Sequence, residues 1–378
     1  MCLFVAADFC AKPLNDMTRV AILSPSLTTG DGVGNDALGM FDVLQRRGYE
    51  VRLFCESHSL RHSGLSDLAT IEKFLRSPTD IVIYHHSRGW REGVELIQKL
   101  RCYRVVRYHN VTPAKFFAGF SSHEQEQCET GRRQLFDLTA AECELYLSAS
   151  SFSMQELIAA GADESRSLVV PPFHHIDQLS KTTPDPDTLG RYSSGTTNIL
   201  SVGRVVPHKN LHQLIEVFAH YHYGCNSKSQ LIIVGKGGEG FSPYSKLLHR
   251  AVNRLGLNKA VVFTGGVSDP VLKAHYVSAD AFVTVSEHEG FCVPLVEAMS
   301  MKLPIAAYAT TAIPETLGDA GIAWTERNPA LVAESIDLFV RDTAVRNALG
   351  VRGRRRYETM FSNEKVEGSF LKAISTLQ

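Results

Sequence analysis

Short apolar runs alternate along this chain with longer stretches whose apolar positions recur at helical spacing. In the first half VAILSP from Val20, VRLFC from Val51, IVIYH from Ile81, RVVRYHN from Arg104, LYLSAS from Leu145 and SLVVPP from Ser167 predict strands. Between the first two, residues 36–47 set Ala37, Met40, Phe41 and Leu44 on one helical face. The stretch KTTPDPDTLGRYSSGTT, residues 181–197, is rich in Pro, Ser, Thr and Gly, has few large apolar side chains, and reads as a linker. The alternation then restarts with NILSVGR from Asn198, QLIIVG from Gln230, AVVFTG from Ala260, AFVTVS from Ala281, PIAAYA from Pro304 and GIAWT from Gly321. A helix from Leu211 carries Leu214, Ile215 and Phe218 on the same side. This is the pattern of parallel sheets flanked by helices. It predicts two doubly wound α/β domains, residues 1–190 and 191–362, facing a cleft, followed by a closing helix within residues 363–378. In open α/β sheets ligands bind beyond the carboxyl ends of the strands, so the loops after these strands are where chemistry is expected.

Composition narrows what binds there. The 378 residues carry 39 Lys and Arg against 40 Asp and Glu, a net charge of -1. That balance excludes a general nucleic-acid binder, so an acidic small ligand has to be met by a few placed cations. The eight cysteines are scattered with no C-x-x-C pair, as expected of reduced cytoplasmic thiols rather than a disulfide or zinc framework. The opening MCLFVAADFCA lacks a basic flank and is too short to span a bilayer, so residues 1–16 read as an extension ahead of the first strand. No later run reaches spanning length. The expected protein is soluble and cytoplasmic, with room for peripheral contact at the inner face of a membrane through the basic stretch RGRRR from Arg352.

Four segments carry candidate chemistry. In SVGRVVPHKN, from Ser201, Arg204 and Lys209 lie between a buried strand and a helix. Arg grips phosphate oxygens through a planar fork and Lys supplies a point charge, although two basic residues after a strand are commonly a solvated loop. SEHEGFCVPLVEAM, from Ser286, spaces Glu289 and Glu297 around a Gly290-Phe291 turn, with Pro294 suited to a helix's first turn. Amides near Phe291 and Cys292 then lead the helix and form an anion or hydroxyl site, while the two carboxylates accept from sugar or ribose hydroxyls. GDGVGND, from Gly30, offers Gly32 and Gly34 for close backbone approach to a ligand. His109, in YHNVTPAKFF from Tyr108, ends a buried strand, where a histidine is as often structural as functional.

Together these segments resemble the retaining GT-B glycosyltransferases of family 4 (glycosyl transferases group 1), relatives of sucrose and glycogen synthases. GRVVPHK matches the family's G-R-x-x-x-x-K, and Glu289 and Glu297 match its E-G-F-x-x-x-x-x-E at identical spacing. FTGGVSD from Phe263 resembles the stretch beside the nucleotide base. The resemblance implies a GT-B fold whose last helix crosses back onto the first, acceptor-side domain. It implies that Arg204, Lys209, Gly32 and Gly34 hold the donor diphosphate. Gly290, Phe291, Cys292 and Glu297 then hold the donor sugar and ribose, and His109 and Glu289 act at the sugar. Cys292 stands where the family commonly has glycine, a mild departure because a backbone amide is the implied contact. The implied activity transfers a mannose- or glucose-type hexose from GDP-mannose or a UDP-hexose to a glycan or lipid-linked oligosaccharide acceptor. No cofactor and no metal are expected.

Other motifs mislead. GKGGEG from Gly235 imitates a dinucleotide fingerprint but lacks the acidic residue at the following strand end. Asp185-Pro186-Asp187 matches a metal-binding D-x-D but sits in the linker and reads as a turn. His85-His86, His174-His175 and His220-x-His222 lack partners at ligand spacing. Phe116, Phe117 and Phe120 read best as core, and Arg132 and Arg133 as facing either cleft or solvent. Two rival readings stay open: a nucleotide-sugar-binding GT-B-like protein without transferase activity, and a phosphorylase or sugar-nucleotide epimerase.

Overall fold

The computed structural model describes residues 18–28, 30–192, 195–237 and 242–377, so the proposed extension at residues 1–16 lies outside it. The first sheet comprises β1 (Arg19–Leu27), β2 (Glu50–His58), β3 (Leu65–Ser66), β4 (Ile81–His86), β5 (Tyr103–Tyr108), β6 (Leu145–Ser148) and β7 (Ser167–Val169). Its strands are parallel in the order β3-β2-β1-β4-β5-β6-β7. The second comprises β8 (Thr197–Val202), β9 (Ser229–Val234), β10 (Val261–Gly265), β11 (Ala281–Thr284), β12 (Ile305–Tyr308) and β13 (Gly321–Trp324). These are parallel in the order β10-β9-β8-β11-β12-β13. Every residue of β4, β6 and β11 is buried, because helices cover both faces of a parallel sheet and leave no side for polar alternation. The strand order reverses between β1 and β4, and again between β8 and β11. At such a reversal the outgoing loops part and leave a crevice at the carboxyl ends.

The first helix runs Gly32–Arg46, four residues ahead of its apolar pattern, because the Asp31 side chain caps the Gly34 amide. Ala37, Met40, Phe41 and Leu44 are all buried on its inner face. The stretch read as a linker holds two short helices, the end of Ile176–Lys181 and all of Pro186–Tyr192. Asp185 accepts from the Thr188 amide and hydroxyl and so starts a helix where a turn was expected, with Pro186 at its first position. The Asp185 amide donates to Pro270, and Tyr192 packs on His275, pinning this segment to the helix Asp269–Ser278.

The closing helix, Asn363–Ile374, buries Val366, Phe370, Ala373 and Ile374 in a core cluster shared with β1, β2, β4 and the helix Gly32–Arg46. Phe370 meets Phe173 edge-on at 5.6 Å, and Glu367 pairs with Arg46 at 2.6 Å. Just before it, His174 Nε2 bonds the Phe361 carbonyl at 2.7 Å, and Tyr357 donates to Asp177. The chain's two crossings between the sheets therefore run side by side. Of the RGRRR arginines, Arg354 and Arg356 are engaged by carbonyls of Ser300, Glu315 and Thr316, leaving Arg352 and Arg355 as the exposed cations. No helix among the described residues is long and apolar enough to cross a membrane.

Candidate active site

Lys209 and Glu289 reach the crevice of the second sheet from opposite sides of its reversal, one in the loop after β8 and the other after β11. Their side chains form an ion pair, Lys209 Nζ to Glu289 Oε1 at 2.5 Å, and are only 16% and 8% exposed. Burial works against the Lys209 charge, but the Glu289 carboxylate outweighs it and raises the lysine's pKa above its ordinary value. Both loops are held from behind. The Glu289 amide donates to Thr311 Oγ1 at 2.8 Å, and the Glu287 amide donates to the His208 carbonyl at 2.8 Å. Arg204 is exposed on the same β8 loop, and its guanidinium has no ion pair among the described residues. The start of GKGGEG lies behind this loop. A side chain at Gly235 would overlap the Gly203 carbonyl, so that glycine lets two backbones touch, while residues 238–241 lie outside the described residues.

The Glu-Gly-Phe turn has three distinct parts. Gly290 faces the first domain: a Cβ there would sit 2.6 Å from Asn110 Cβ and 3.0 Å from the His109 carbonyl oxygen. Phe291 turns inward, edge-on to Phe361 at 5.4 Å, with its carbonyl taken by Thr316, so its ring does not line the cleft. Cys292 has φ 74, the left-handed conformation that disfavours any residue with a Cβ, and directly precedes the helix Val293–Ser300. That backbone requirement accounts for glycine as the family habit at this place. The buried thiol's pKa is pushed up by desolvation, which keeps it protonated and inert. Glu297, in the same helix, is buried and accepts from Tyr276 at 2.6 Å. Burial raises its pKa, with the tyrosine hydroxyl opposing.

Across the cleft, Gly32 has open space around the position of a Cβ. A side chain at Gly34 would strike the Thr28 carbonyl, so Gly34 serves the tight turn into its helix. His109 Nε2 points inward to His85 Nδ1 at 2.9 Å and lies 3.6 Å from Asp36 Oδ2. Asp36 accepts from Arg107 Nε at 2.7 Å and from the Phe173 amide at 2.8 Å, and Arg107 also donates to the Val170 carbonyl. Asp36, His85 and Arg107 are fully buried. His85, read from sequence as lacking partners at ligand spacing, finds them across strands. Asp36, His85 and His109 are compact enough for a metal, but the Arg107 guanidinium occupies the same carboxylate oxygen. Burial, then His85, Arg107 and His86, hold the His109 pKa well below the ordinary range.

The domains touch at the cleft's edge. His288 Nε2 bonds Asn110 Oδ1, Ser153 Oγ donates to the Gly290 carbonyl at 3.4 Å, and Phe117 packs on His208 at 5.8 Å. Phe117 is core and Phe120 packs against that core, as expected, while Phe116 and Phe120 also meet His288 and Tyr244 of the other domain. Arg132 braces this loop, donating to the Val111 carbonyl and to Glu156, which also receives Tyr108 and Asn110. Arg133 is exposed and bonds Thr130. A cavity of about 650 Å3 opens at the carboxyl ends of β1, β2 and β4, lined by Ser26, Glu56, Arg88, Trp90 and His123, and includes none of the donor-side residues.

Residues 192–356 match the family Glycosyl transferases group 1. The second domain is a group 1 glycosyl transferase domain. A D-inositol 3-phosphate glycosyltransferase of Geodermatophilus obscurus is 30% identical over 223 residues, 56% of this chain and 48% of that protein. The capsular polysaccharide biosynthesis glycosyltransferase CapM of Staphylococcus aureus is 30% identical over 167 residues, 43% of this chain and 42% of its own. The chain thus spans less than half the length of these curated relatives. Anabaena HepE, solved in complex with UDP and glucose, superposes with a TM-score of 0.77 at 18% identity, covering 95% of this chain and all of that one. The likeness extends over both domains, so the chain has the GT-B fold, with the group 1 domain as its second half.

Several residues around the group 1 domain's cleft had no sequence signal: Thr311 behind Glu289, Asn110 against Gly290, and Asp36 and Arg107 beneath His109. Only the oddity of a charged residue inside an apolar strand run marks Arg107. The buried imidazoles give a pH prediction. Desolvation lowers the pKa of His85, His86 and His288 to about 4. The unfolded chain takes up these protons from about pH 6.5 downward while the native state does not, so stability is full above about 6.5 and falls progressively toward about pH 4. Urea midpoints measured through this window are expected to drop steadily. A midpoint constant down to about pH 5 contradicts buried, neutral histidines.

Proposed function

We propose that this chain is a retaining, metal-independent glycosyltransferase. It moves a hexose from GDP-mannose or a UDP-hexose to a glycan or lipid-linked acceptor in polysaccharide assembly, working in the cytoplasm. The observation that carries this reading is the Lys209–Glu289 ion pair at the second sheet's strand reversal, with the exposed Arg204 on the same loop and without an ion pair among the described residues. A donor diphosphate brings about two negative charges, which need fixed cations and amides when no metal is used. Arg204 grips it through its fork and Lys209 through its ammonium. The amides leading the helix Val293–Ser300 and the open backbone at Gly32 add donors.

As the diphosphate draws on Lys209, the Glu289 carboxylate is freed for the sugar hydroxyls, while Glu297 takes the ribose diol. The bond from anomeric carbon to phosphate oxygen breaks, and the acceptor hydroxyl adds on the same face. Its proton passes to the leaving phosphate, whose growing charge the two cations meet. His109 borders the sugar from the opposite domain, and the cavity by Arg88 and Trp90 admits the acceptor. A relative named for capsular polysaccharide biosynthesis supports the glycan acceptor, and the HepE complex with UDP supports a nucleotide donor.

A panel of GDP- and UDP-sugars read by thermal denaturation tests the reading, because a ligand that binds only the folded chain raises its apparent stability. One such sugar is expected to stabilise the protein and to be transferred or hydrolysed in the presence of a chelator. Stabilisation without turnover leaves a binding protein. Activity lost to the chelator and restored by manganese overturns the metal-free mechanism.

A further inference from the structure

The hydrogen-bond inventory around His109 decides where its proton sits. His85 Nδ1 and His109 Nε2 are 2.9 Å apart, so one carries a hydrogen and the other accepts. His85 Nε2 is buried with no hydrogen-bond partner among the described residues. Were the shared proton on His109, the neutral His85 would carry its own on Nε2, an orphaned buried N–H donor. Such donors are rarer in folded proteins than under-satisfied acceptors. With the proton on His85 Nδ1, Nε2 is a bare lone pair, in a network where Arg107 Nη2 also lacks an acceptor. Asp36 Oδ2, 4.0 Å from His85 Nδ1, is beyond hydrogen-bond reach of that nitrogen and does not choose between the two arrangements. Its distance of 3.6 Å from His109 Nε2 is beyond hydrogen-bond reach, and Arg107 already engages it. His109 then holds its one proton on Nδ1, the ring nitrogen with no bond inside the described protein.

We infer that Asp36, Arg107 and His85 are positioning residues that fix His109 as an uncharged imidazole protonated on Nδ1, presenting a hydrogen-bond donor to the cleft. Burial and the neighbouring Arg107 and His86 oppose a second proton. In this form His109 donates to an oxygen of the bound ligand and does not act as a base. The proton's place stands independently of the proposed activity.

Long-range proton–nitrogen NMR of protein labelled in its histidines, with His109 assigned by loss of its signals in His109→Gln, reads the tautomer directly. A protonated Nδ1 and bare Nε2 are expected. His85→Phe removes the donor and is expected to move the proton to Nε2, whereas His85→Asn, whose amide donates from the Nδ1 position, is expected to keep it on Nδ1. If transfer is the activity, His85→Phe lowers kcat with little change in donor KM, and His85→Asn restores it. A wild-type His109 protonated on Nε2 overturns the inference even if neither variant folds, as does an unmoved proton in a folded His85→Phe.

Discussion

Lys209→Ala is expected to lower glycosyl transfer by about 30- to 1000-fold, the equivalent of losing about 2–4 kcal/mol of transition-state stabilisation. Two losses combine. The leaving diphosphate forfeits an ammonium in a partly desolvated cleft, and Glu289, 8% exposed, is left as an uncompensated carboxylate where the donor's negative charge must come. A double-mutant cycle with Glu289→Gln separates them. If removing the carboxylate recovers part of the loss, that part belongs to the pair and the rest to the diphosphate. Wild-type turnover in Lys209→Ala removes this lysine from the mechanism altogether.

The second large effect is on stability. Arg107→Met keeps the length and apolar stem of the side chain but leaves Asp36 buried with its charge unanswered. Breaking a buried pair from one side costs about 3–5 kcal/mol, and urea unfolding followed by fluorescence measures it. Asp36→Asn in the same chain removes the charge and keeps an acceptor for the Phe173 amide, 2.8 Å away. The double variant is therefore expected to regain more than half of the loss. If Arg107→Met unfolds at the wild-type midpoint, Asp36 is neutral or hydrated in solution and the network has been misread.

The sequence pattern foretold the sheets because parallel strands are covered on both faces. Runs such as IVIYH and AFVTVS can be little else at that length. The candidate donor-side motif can be picked out for a related reason: Arg204, Lys209, Glu289 and Glu297 sit at fixed offsets within two local segments, so proposing them needs no distant pairing. What stayed hidden depends on long-range contact. Asp36 and Arg107 are 71 positions apart and share no local period. Asn110 gains its place only when Gly290 closes on it from the other domain. The helix Pro186–Tyr192 buries Tyr192 alone, too little for periodicity to register, and takes its support from a helix that follows it in the chain.

The stitching of Asn363–Ile374 onto the helix Gly32–Arg46 has a bearing on synthesis. A nascent chain emerges beginning-first, yet the patch that Phe370 and Val366 cover belongs to the half made earliest. That half leaves the ribosome with an apolar scar open to solvent, and it stays open while the whole group 1 domain is translated and folds. The later half is therefore expected to reach its native form first, and the earlier half to depend on chaperone cover until the final helix arrives to seal it.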